Sequence, residues 1–308
     1  MHNLTDPLVS VILPVYNRQH TIRRAVDSVL AQTFWNFELI IVDDASTDQT
    51  PAILQSYQDP RIRILVHKER LGAPASRNRG AAAARGRWIA FQDSDDEWMA
   101  DKLEKQLKLA KEHERAKDTA LVIYTGFHRY KDGKIDYIPA ASDPRPKDGY
   151  INRSLLLGNF ISTQTVLMPK SMFLEMGGFD EQLPRFQDWE LWLRLSVRYP
   201  FRFIDEPLVN VYFTDDSISS DQTKLVEAYN RIDIKHSRLF HEAGPRYLAS
   251  FLFSYGHNLC LYGDVKNGRK KLIAAWRSDP LSLRCIGSMF VSLFGASSYR
   301  KLYNLLFH

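Results

Sequence analysis

Apolar runs and amphipathic segments alternate along the first hundred residues of the chain. The continuous apolar runs are VSVILPVY (9–16), FELIIVDD (37–44), RIRILVH (61–67) and RWIAFQ (87–92). Such runs are typical of strands that are covered on both faces. Segments of helical character follow them, at 22–30, 46–57, 73–86 and 103–110, and Ser46 or Thr47 is a suitable cap for the second helix. This alternation predicts right-handed crossovers and a mainly parallel sheet in an α/β domain.

The second half of the chain is less regular and then becomes helical. Segments 119–127, 133–139 and 164–169 have the composition of strands, the second of them in a hairpin, and 143–150 is rich in turn residues. A glycine-opened loop at 177–188 leads into a helix. From 221 to 308 the pattern is helical, with breaks at AGPRY, GDVKNG and SDPLS. A composition shift near 214–222 predicts two domains, 1–215 and 216–308.

Composition and charge narrow the class of protein. The chain of 308 residues is 44% apolar and 25% charged, which is ordinary globular usage. Its net charge of +5 suits anionic partners such as nucleotides, phosphates or lipid head groups, and we expect no nucleic-acid partner. The N-terminus lacks the layout of a signal peptide, and no stretch has the ~18 continuous apolar residues of a membrane span. Cys260 and Cys285 lie in apolar, helix-like stretches, which predicts reduced core residues in a cytoplasmic protein.

Three acids follow the fourth apolar run directly, in the stretch WIAFQDSDDEW. Ligands of parallel sheets bind outside the carboxyl ends of the strands. If the chain stays extended past Phe91, Asp93 and Asp95 face the same way and can share a divalent cation, since Mg²⁺ or Mn²⁺ typically takes one or two carboxylates plus substrate phosphates. The alternative is capping of the next helix, for which one acid, Asp96, suffices. We therefore favour a metal site at Asp93 and Asp95.

Two other acidic positions are less informative by themselves. Asp43 and Asp44 end the second apolar run, where they fit a surface turn as well as a binding site. Asp188 precedes a helix, where an acid is often only an N-cap. A catalytic base needs a carboxylate held near a substrate hydroxyl, and the sequence does not measure that distance.

Four segments of the chain together resemble glycosyltransferase family 2, whose members have the GT-A fold. They are VSVILPVYNR, QTFWNFELIIVDDASTDQT, ASRNRGAAAARGRWIAFQDSDDEW and GGFDEQLPRFQDWELWLRL, and the resemblance covers about residues 8–213. It implies a Rossmann-like, mainly parallel sheet flanked by helices, here with an α-helical C-terminal extension. It also implies inverting hexosyl transfer from a nucleotide-diphospho-sugar, which we expect to be a UDP-sugar, with Mn²⁺ or Mg²⁺ as cofactor. The acceptor implied is a saccharide or a lipid-linked saccharide in the biosynthesis of cell-surface polysaccharide or glycan.

The resemblance assigns five residues to the nucleotide. Pro14, Tyr16 and Arg18 would line the nucleotide pocket, and Asp44 would accept a hydrogen bond from the base. A carboxylate can accept from the N–H of uracil, which fits a uridine donor. Arg77 would lie near the nucleotide, where an arginine can meet phosphate oxygens with paired hydrogen bonds.

The resemblance also assigns the metal site and the base. Asp93, Ser94 and Asp95 match the DXD motif of the family, with Asp95 as direct metal ligand and Asp93 directed toward the ribose or the metal. Asp188 matches the catalytic base. The family usually has Glu-Asp where this chain has Gln187 and Asp188, so one anion is missing beside the base and Asp188 should ionise more easily. This departure leaves the identity of the acceptor open.

The segment 281–308 contains Arg284, Arg300 and Lys301 but no Asp or Glu. An apolar, basic helical pair of this kind can lie peripherally on an anionic membrane surface, here the inner face of the membrane. The alternative is a helical subdomain that packs on the catalytic core or on a second copy in a homo-oligomer. The sequence leaves both open.

Two other functions compete with glycosyl transfer. A sugar nucleotidyltransferase usually carries a glycine-rich phosphate loop after its first strand, but the segment PVYNRQHT (14–21) contains no glycine. A non-catalytic relative that binds nucleotide-sugar or glycan would not need both DXD acids and Asp188. We therefore place both below glycosyl transfer.

Overall fold

The structure, a computed structural model, describes residues 6–116, 120–213, 222–296 and 299–301. The chain divides into two compact units. The first comprises residues 1–152, 160–181 and 187–214, and the second comprises 153–159, 182–186 and 215–308. The two short segments of the second unit, 153–159 and 182–186, have no signal in the sequence that separates them from their neighbours.

A mixed, mostly parallel sheet forms the first unit. Its strands are β1 (Val9–Val15), β2 (Phe37–Asp43), β3 (Ile62–Val66), β4 (Trp88–Phe91), β5 (Glu97–Trp98), β6 (Val122–Lys131), β7 (Lys134–Ile138), β8 (Leu167–Pro169) and β9 (Phe201–Tyr212). Their order is β3-β2-β1-β4-β8-β6-β9-β5, with β7 paired to β6. The pairs β1–β2, β1–β4, β2–β3 and β6–β9 are parallel, whereas β8 is antiparallel to β4 and β6. The predicted fold class is confirmed.

Helices alternate with the strands along the chain; apolar residues at helical spacing predicted the first of them, and alanine content predicted the third. The helices up to residue 198 are α1 (Ile22–Leu30), α2 (Thr50–Gln55), α3 (Ala73–Ala83), α4 (Lys102–Ala116), α5 (Asn152–Leu156), α6 (Lys170–Glu175) and α7 (Gln187–Arg198). Every residue of β1 and β2 is buried, as expected for strands covered on both faces. Helix α1 packs into this core through residues at helical spacing, among them Ile22, Val26 and Val29.

The predicted cap of the second helix is wrong. Helix α2 begins at Thr50, and Ser46 and Thr47 lie in the loop before it. Both bind Asn17, which follows β1: its N–H donates to Ser46 Oγ at 3.0 Å, and its Oδ1 accepts from the N–H of Thr47 at 2.8 Å. The N–H of Thr50 donates to Asp48 Oδ1 at 2.9 Å. The hydroxyl residues therefore join two loops at the carboxyl ends of β1 and β2.

The second unit is helical, and its helices end at the three predicted breaks. They are α8 (Gln222–Ala243), α9 (Pro245–Leu261), α10 (Val265–Ser278) and α11 (Leu283–Ser292). Helices α9 and α10 approach closely at Gly268, where an added Cβ would lie 2.7 Å from the carbonyl oxygen of Gly256. None of the described helices is both long and apolar enough to cross a membrane.

Both cysteines are buried and free, Cys260 in α9 and Cys285 in α11. Burial raises the pKa of the Cys260 thiol to about 11 and also raises the pKa of Cys285 above its usual value. They are core residues, as predicted.

Lys102, the first residue of α4, is completely buried in the first unit. Its Nζ donates to Gln106 Oε1 at 2.8 Å and lies 3.9 Å from the centre of the Trp98 ring. Burial holds the pKa of Lys102 well below its ordinary value. Between the folded and unfolded pKa values the unfolded chain binds the extra proton, so stability rises with pH in that window.

We expect the wild-type protein to gain free energy of unfolding relative to Lys102→Met as the pH rises toward about 10, the ordinary pKa of lysine. The slope of the difference should not exceed about 1.4 kcal/mol per pH unit, the value for one proton. Urea unfolding at a series of pH values measures it. Lys108→Met, at an exposed position of the same helix, serves as control. Parallel stability curves for wild type and Lys102→Met would contradict the prediction.

Candidate active site

Asp44 organises the loop between β3 and α3. Its carboxylate is almost fully buried just past the end of β2. Oδ1 accepts a hydrogen bond from the N–H of Leu71 and contacts His67 Nδ1, and Oδ2 accepts one from the N–H of Gly72. Each of these three distances is 2.8 Å. A carboxylate has about four acceptor positions, so Oδ2 can accept a further hydrogen bond. Gly72 has φ +93°, a backbone conformation that favours glycine.

The predicted nucleotide residues at the end of β1 lie beside Asp44. The N–H of Asp44 donates to the carbonyl of Val15 at 2.8 Å. Pro14 is buried within β1 opposite Val42 of β2. The half-buried ring of Tyr16 lies under the guanidinium of Arg70, 4.1 Å from its centroid. A planar aromatic ring, a cation and a carboxylate acceptor therefore border one another here.

The acids after β4 form a tight turn, which we call the acid turn, Asp93 to Asp96. The N–H of Asp96 donates to the carbonyl of Asp93 at 3.3 Å. The chain therefore turns after Phe91, whereas the expectation that Asp93 and Asp95 face the same way required it to stay extended. Ser94 is buried within the turn, whereas Asp93 and Asp95 are partly exposed.

Asp96 holds the acid turn in place from inside the protein. Its buried carboxyl accepts from the N–H of Tyr212 at 2.9 Å and from Gln164 Nε2 at 2.5 Å. The alternative considered for Asp96, a cap of the next helix, is therefore wrong, because α4 begins only at Lys102. These bonds draw Asp96 into the core and bend the backbone.

Arginines surround the two outer acids. Arg77 Nη2 donates to Asp93 Oδ1 at 2.5 Å, and Arg18 Nε lies 3.6 Å from Asp95 Oδ2. Arg24, on α1, donates to the main-chain carbonyl of Asp95. Thus the structure brings Arg18, Arg77, Asp93 and Asp95 together at the carboxyl end of β4; the resemblance assigned the two arginines to the nucleotide and the two acids to the metal.

The acid turn favours added positive charge. Burial raises the pKa of Asp95, the charge of Asp93 raises it further, and Arg18 and Arg24 oppose the shift. Burial followed by repulsion from Asp93 and Asp95 raises the pKa of Asp96 well above its ordinary value. A cation bound at the turn would relieve this repulsion.

The donor set fits a cation that arrives with its substrate. In the part of the chain that the structure describes, no group of three or more His, Cys, Asp or Glu side chains is arranged to hold a metal. Two carboxylates, Asp93 and Asp95, are nonetheless the usual protein share of a Mg²⁺ site whose other ligands are phosphates and water. Arg77 adds a buried Nε that has no hydrogen-bond partner, and such a donor suits a phosphate oxygen.

Asp188 lies in the first turn of α7, where the helix begins at Gln187. It is half-buried, and its Oδ1 accepts from the N–H of Trp189 at 2.8 Å. The loop at 177–181 is fastened to α3: Asn78, next to Arg77, exchanges two hydrogen bonds of 2.9 Å with the backbone of Phe179. The chain that approaches Asp188 is thereby tied to the helix that carries Arg77.

The sequence of residues 10–173, more than half of the chain, matches the model of one family, Glycosyl transferase family 2. The chain is a family 2 glycosyltransferase.

Curated relatives of the glycosyltransferase agree with this assignment. It is 34% identical over 247 residues to the putative teichuronic acid biosynthesis glycosyltransferase TuaG of Bacillus subtilis. This alignment covers 75% of this chain and 90% of TuaG. It is 45% identical over 106 residues to the UDP-Glc:alpha-D-GlcNAc-diphosphoundecaprenol beta-1,3-glucosyltransferase WfgD of Escherichia coli. This alignment covers 34% of this chain and 42% of WfgD. Matches to uncharacterised Rickettsia glycosyltransferases span 27% to 71% of those proteins' length.

The fold of the glycosyltransferase is similar to that of TarS from S. aureus. The crystal structure of TarS 1–349 in complex with UDP-GlcNAc superposes with a TM-score of 0.69 at 19% identity, over 96% of this chain and 90% of that one. This likeness supports the GT-A fold.

The structure adds residues to the site of the glycosyltransferase that sequence analysis missed. His67 supports Asp44, Gln164 and Tyr212 hold Asp96, and Arg24 holds the backbone of Asp95. The guanidinium of Arg24 also lies 3.9 Å from the centroid of the Tyr212 ring. An arginine on an amphipathic helix is usually solvent-exposed. The local sequence therefore gave no indication that Arg24 belongs to the site.

We expect Arg24→Met to raise the KM for the sugar donor by about 10- to 100-fold, the cost of a lost charge-assisted hydrogen bond. The reason is that the carbonyl of Asp95 loses its donor and the acid turn is held less firmly. Initial rates at varied donor concentration measure the effect. Arg23→Met, at the neighbouring exposed position of α1, is the matched control. Equal donor KM values in both variants would rule out this role for Arg24.

Proposed function

We propose that the enzyme transfers a sugar from a UDP-sugar to a hydroxyl of a saccharide or lipid-linked saccharide, with inversion at the anomeric carbon. All nine residues proposed for this chemistry, from Pro14 to Asp188, fall in the first compact unit. We accordingly propose residues 1–215 as the catalytic domain and 216–308 as a helical region with a separate role. The two buried free cysteines suit a reducing compartment, and we place the reaction in the cytoplasm.

The observation that carries the proposal is the interleaving of charges at the acid turn. Two carboxylates, Asp93 and Asp95, face two arginines, Arg77 and Arg18, at 2.5 and 3.6 Å. A diphosphate with its cation has the same alternation of charge and can replace the partners within these ion pairs. Its oxygens would bind the guanidinium groups, and its cation would bind the carboxylates.

The uridine end of the donor fits the neighbouring residues. The ring of Tyr16 and the cation of Arg70 provide a surface for stacking, and Asp44 Oδ2 can accept the N–H of a uracil. The relative WfgD acts on UDP-Glc by its name, and TarS was crystallised with UDP-GlcNAc. Both favour a uridine nucleotide over other donors.

In the proposed reaction, Asp188 takes the proton from the acceptor hydroxyl. The acceptor oxygen forms a bond to the anomeric carbon from the face opposite the diphosphate, and the bond from that carbon to the phosphate oxygen breaks. The electron pair of this bond leaves with the nucleoside diphosphate, whose oxygens Arg77 and Arg18 hold. A cation bound to Asp93 and Asp95, Mn²⁺ or Mg²⁺, would neutralise charge on the departing diphosphate.

The acceptor class rests on the relatives. TuaG is named for teichuronic acid biosynthesis and WfgD for transfer to a sugar on diphosphoundecaprenol, so we propose a role in the biosynthesis of cell-surface polysaccharide. Gln187, beside the base, is the first residue of α7, and we propose that it contributes to the choice of acceptor.

A panel of UDP-, GDP- and dTDP-sugars tests the function. We expect Mn²⁺-dependent release of UDP from one UDP-sugar, abolished by EDTA and accelerated by the correct saccharide acceptor. Tight binding of UDP-sugars without turnover toward any acceptor would favour a non-catalytic relative. Release of pyrophosphate from UTP and a sugar phosphate would instead identify a nucleotidyltransferase.

A further inference from the structure

The end of the second unit exposes a cluster of large apolar side chains, which we call the apolar end face. Its members are Leu281, Leu283, Ile286, Phe290, Leu293 and Phe294, each between 43% and 89% exposed. The rings of Phe290 and Phe294 contact each other, with centroids 5.4 Å apart. Contiguous exposure of this kind marks an interaction surface, whereas single exposed apolar residues are ordinary.

Helix α11 has one exposed apolar side and one buried side. Positions 283, 286 and 290 recur at helical spacing and are exposed, and Leu293 and Phe294 extend the same side past the end of the helix. On the other side, Cys285, Ser288 and Val291 are buried. Packing within the unit therefore explains only one side of α11, and the exposed side needs another partner.

The charge of the segment that carries the apolar end face is strongly one-sided. From residue 265 to the end, the sequence contains eight Lys and Arg residues and one acid, Asp279. Lys266, Lys270, Arg277, Arg284, Arg300 and Lys301 are all exposed. The guanidinium of Arg284, within α11 itself, lies 5.0 Å from the centroid of the Phe253 ring on α9, so this positive charge belongs to the same helix as the face.

This charge argues against a second copy of the chain as the partner. In a two-fold symmetric pair the same surface meets itself, so the basic side chains of this segment would face one another, and like charges across an interface are costly. An anionic lipid surface offers the opposite charge at the head groups and an apolar layer beneath them. A ten-residue helix is too short to span that layer, but it can lie in its surface.

We propose that the apolar end face docks the protein on an anionic lipid bilayer, with α11 parallel to the membrane plane. Phe290, Leu293 and Phe294 enter the boundary between head groups and acyl chains, and the exposed arginines and lysines meet the lipid phosphates. This inference does not depend on the proposed donor or reaction. It would bring the enzyme to the surface on which lipid-linked saccharides reside.

Flotation with vesicles of phosphatidylcholine, with and without phosphatidylglycerol, tests the proposal on the full chain. We expect wild-type protein to float with the anionic vesicles at low salt, less at high salt, and little with neutral vesicles. The double variant Phe290→Gln/Leu293→Gln should lower the partition coefficient for anionic vesicles at least about tenfold, because two apolar anchors are lost.

Ile234→Gln is the matched control. Ile234 is 76% exposed on α8, in the same unit but outside the apolar end face, so its replacement should leave vesicle binding unchanged. Thermal unfolding checks that the variants are folded, and Leu283→Gln, at the exposed start of α11, provides a milder second variant with the same expected direction.

Three results would overturn the proposal. The first is wild-type protein that stays in the soluble fraction with anionic vesicles at low salt. The second is a folded double variant that binds them as well as wild type. The third is a lipid-free dimer in sedimentation equilibrium that the double variant dissociates, which would make a second copy the occupant of the face.

Discussion

Asp188→Asn should lower the rate of sugar transfer by about 10²–10⁴-fold, the usual contribution of a general base, while UDP binding stays near normal. The amide cannot take the proton of the acceptor hydroxyl. It can still accept the hydrogen bond from the N–H of Trp189, so the start of α7 should be preserved. Steady-state kinetics with donor and acceptor, together with calorimetric titration of UDP, separates the rate effect from binding.

Asp101→Asn is the control for the Asp188 variant, because Asp101 also lies at the start of a helix, α4, and is half-buried. Its replacement should leave transfer within the error of the measurement. Unchanged turnover in Asp188→Asn would remove Asp188 from the role of base. Loss of UDP binding in that variant would show that Asp188 acts on the donor.

With Asp95 as the proposed metal ligand, Asp95→Ala should weaken Mn²⁺-dependent UDP binding by at least about tenfold, since loss of a ligand should cost no less than loss of an outer-shell group. Asp93 would remain as the single outer carboxylate, and it is already paired with Arg77 at 2.5 Å. Titration of UDP in the presence of Mn²⁺ measures the effect. The same titration in EDTA is the internal control, in which both proteins should bind UDP with similar affinity.

A variant Asp95→Ala that bound UDP and Mn²⁺ as tightly as the parent would contradict the metal assignment. A variant that lost UDP binding in EDTA as well would indicate that Asp95 supports the nucleotide pocket through Arg18, 3.6 Å away, instead of holding a metal.

Long apolar runs explain which parts of the fold could be predicted. The four runs of the first hundred residues became β1 to β4, and the helical breaks after residue 221 were placed correctly. Strands β5 and β9 were missed. In β9, Asp205, Glu206 and Pro207 interrupt the apolar pattern, and a proline within a run argues against a strand. The structure accommodates Pro207 opposite Gly126, at a shift of register between β6 and β9.

Local sequence also predicted the charged side chains that meet at the acid turn, but not the residues that hold them. Asp93 and Asp95 stand out because they follow a buried strand directly. Their supports lie far along the chain: Arg24 is 71 residues from Asp95, and Tyr212 is 116 residues from Asp96. Such contacts arise from the tertiary fold and leave no periodic pattern. Because these contacts are not visible in the sequence, residues 93–96 were expected to continue as extended chain. That expectation was wrong.

The burial of both native thiols has a practical consequence for spectroscopy. The thiolate is the species that reacts with maleimides, and burial raises the pKa of Cys260 to about 11 and that of Cys285 above its usual value. A cysteine introduced at an exposed position, for example in place of Ile234, would therefore be alkylated well before either of them. Fluorophores or spin labels can be attached to the otherwise unaltered chain.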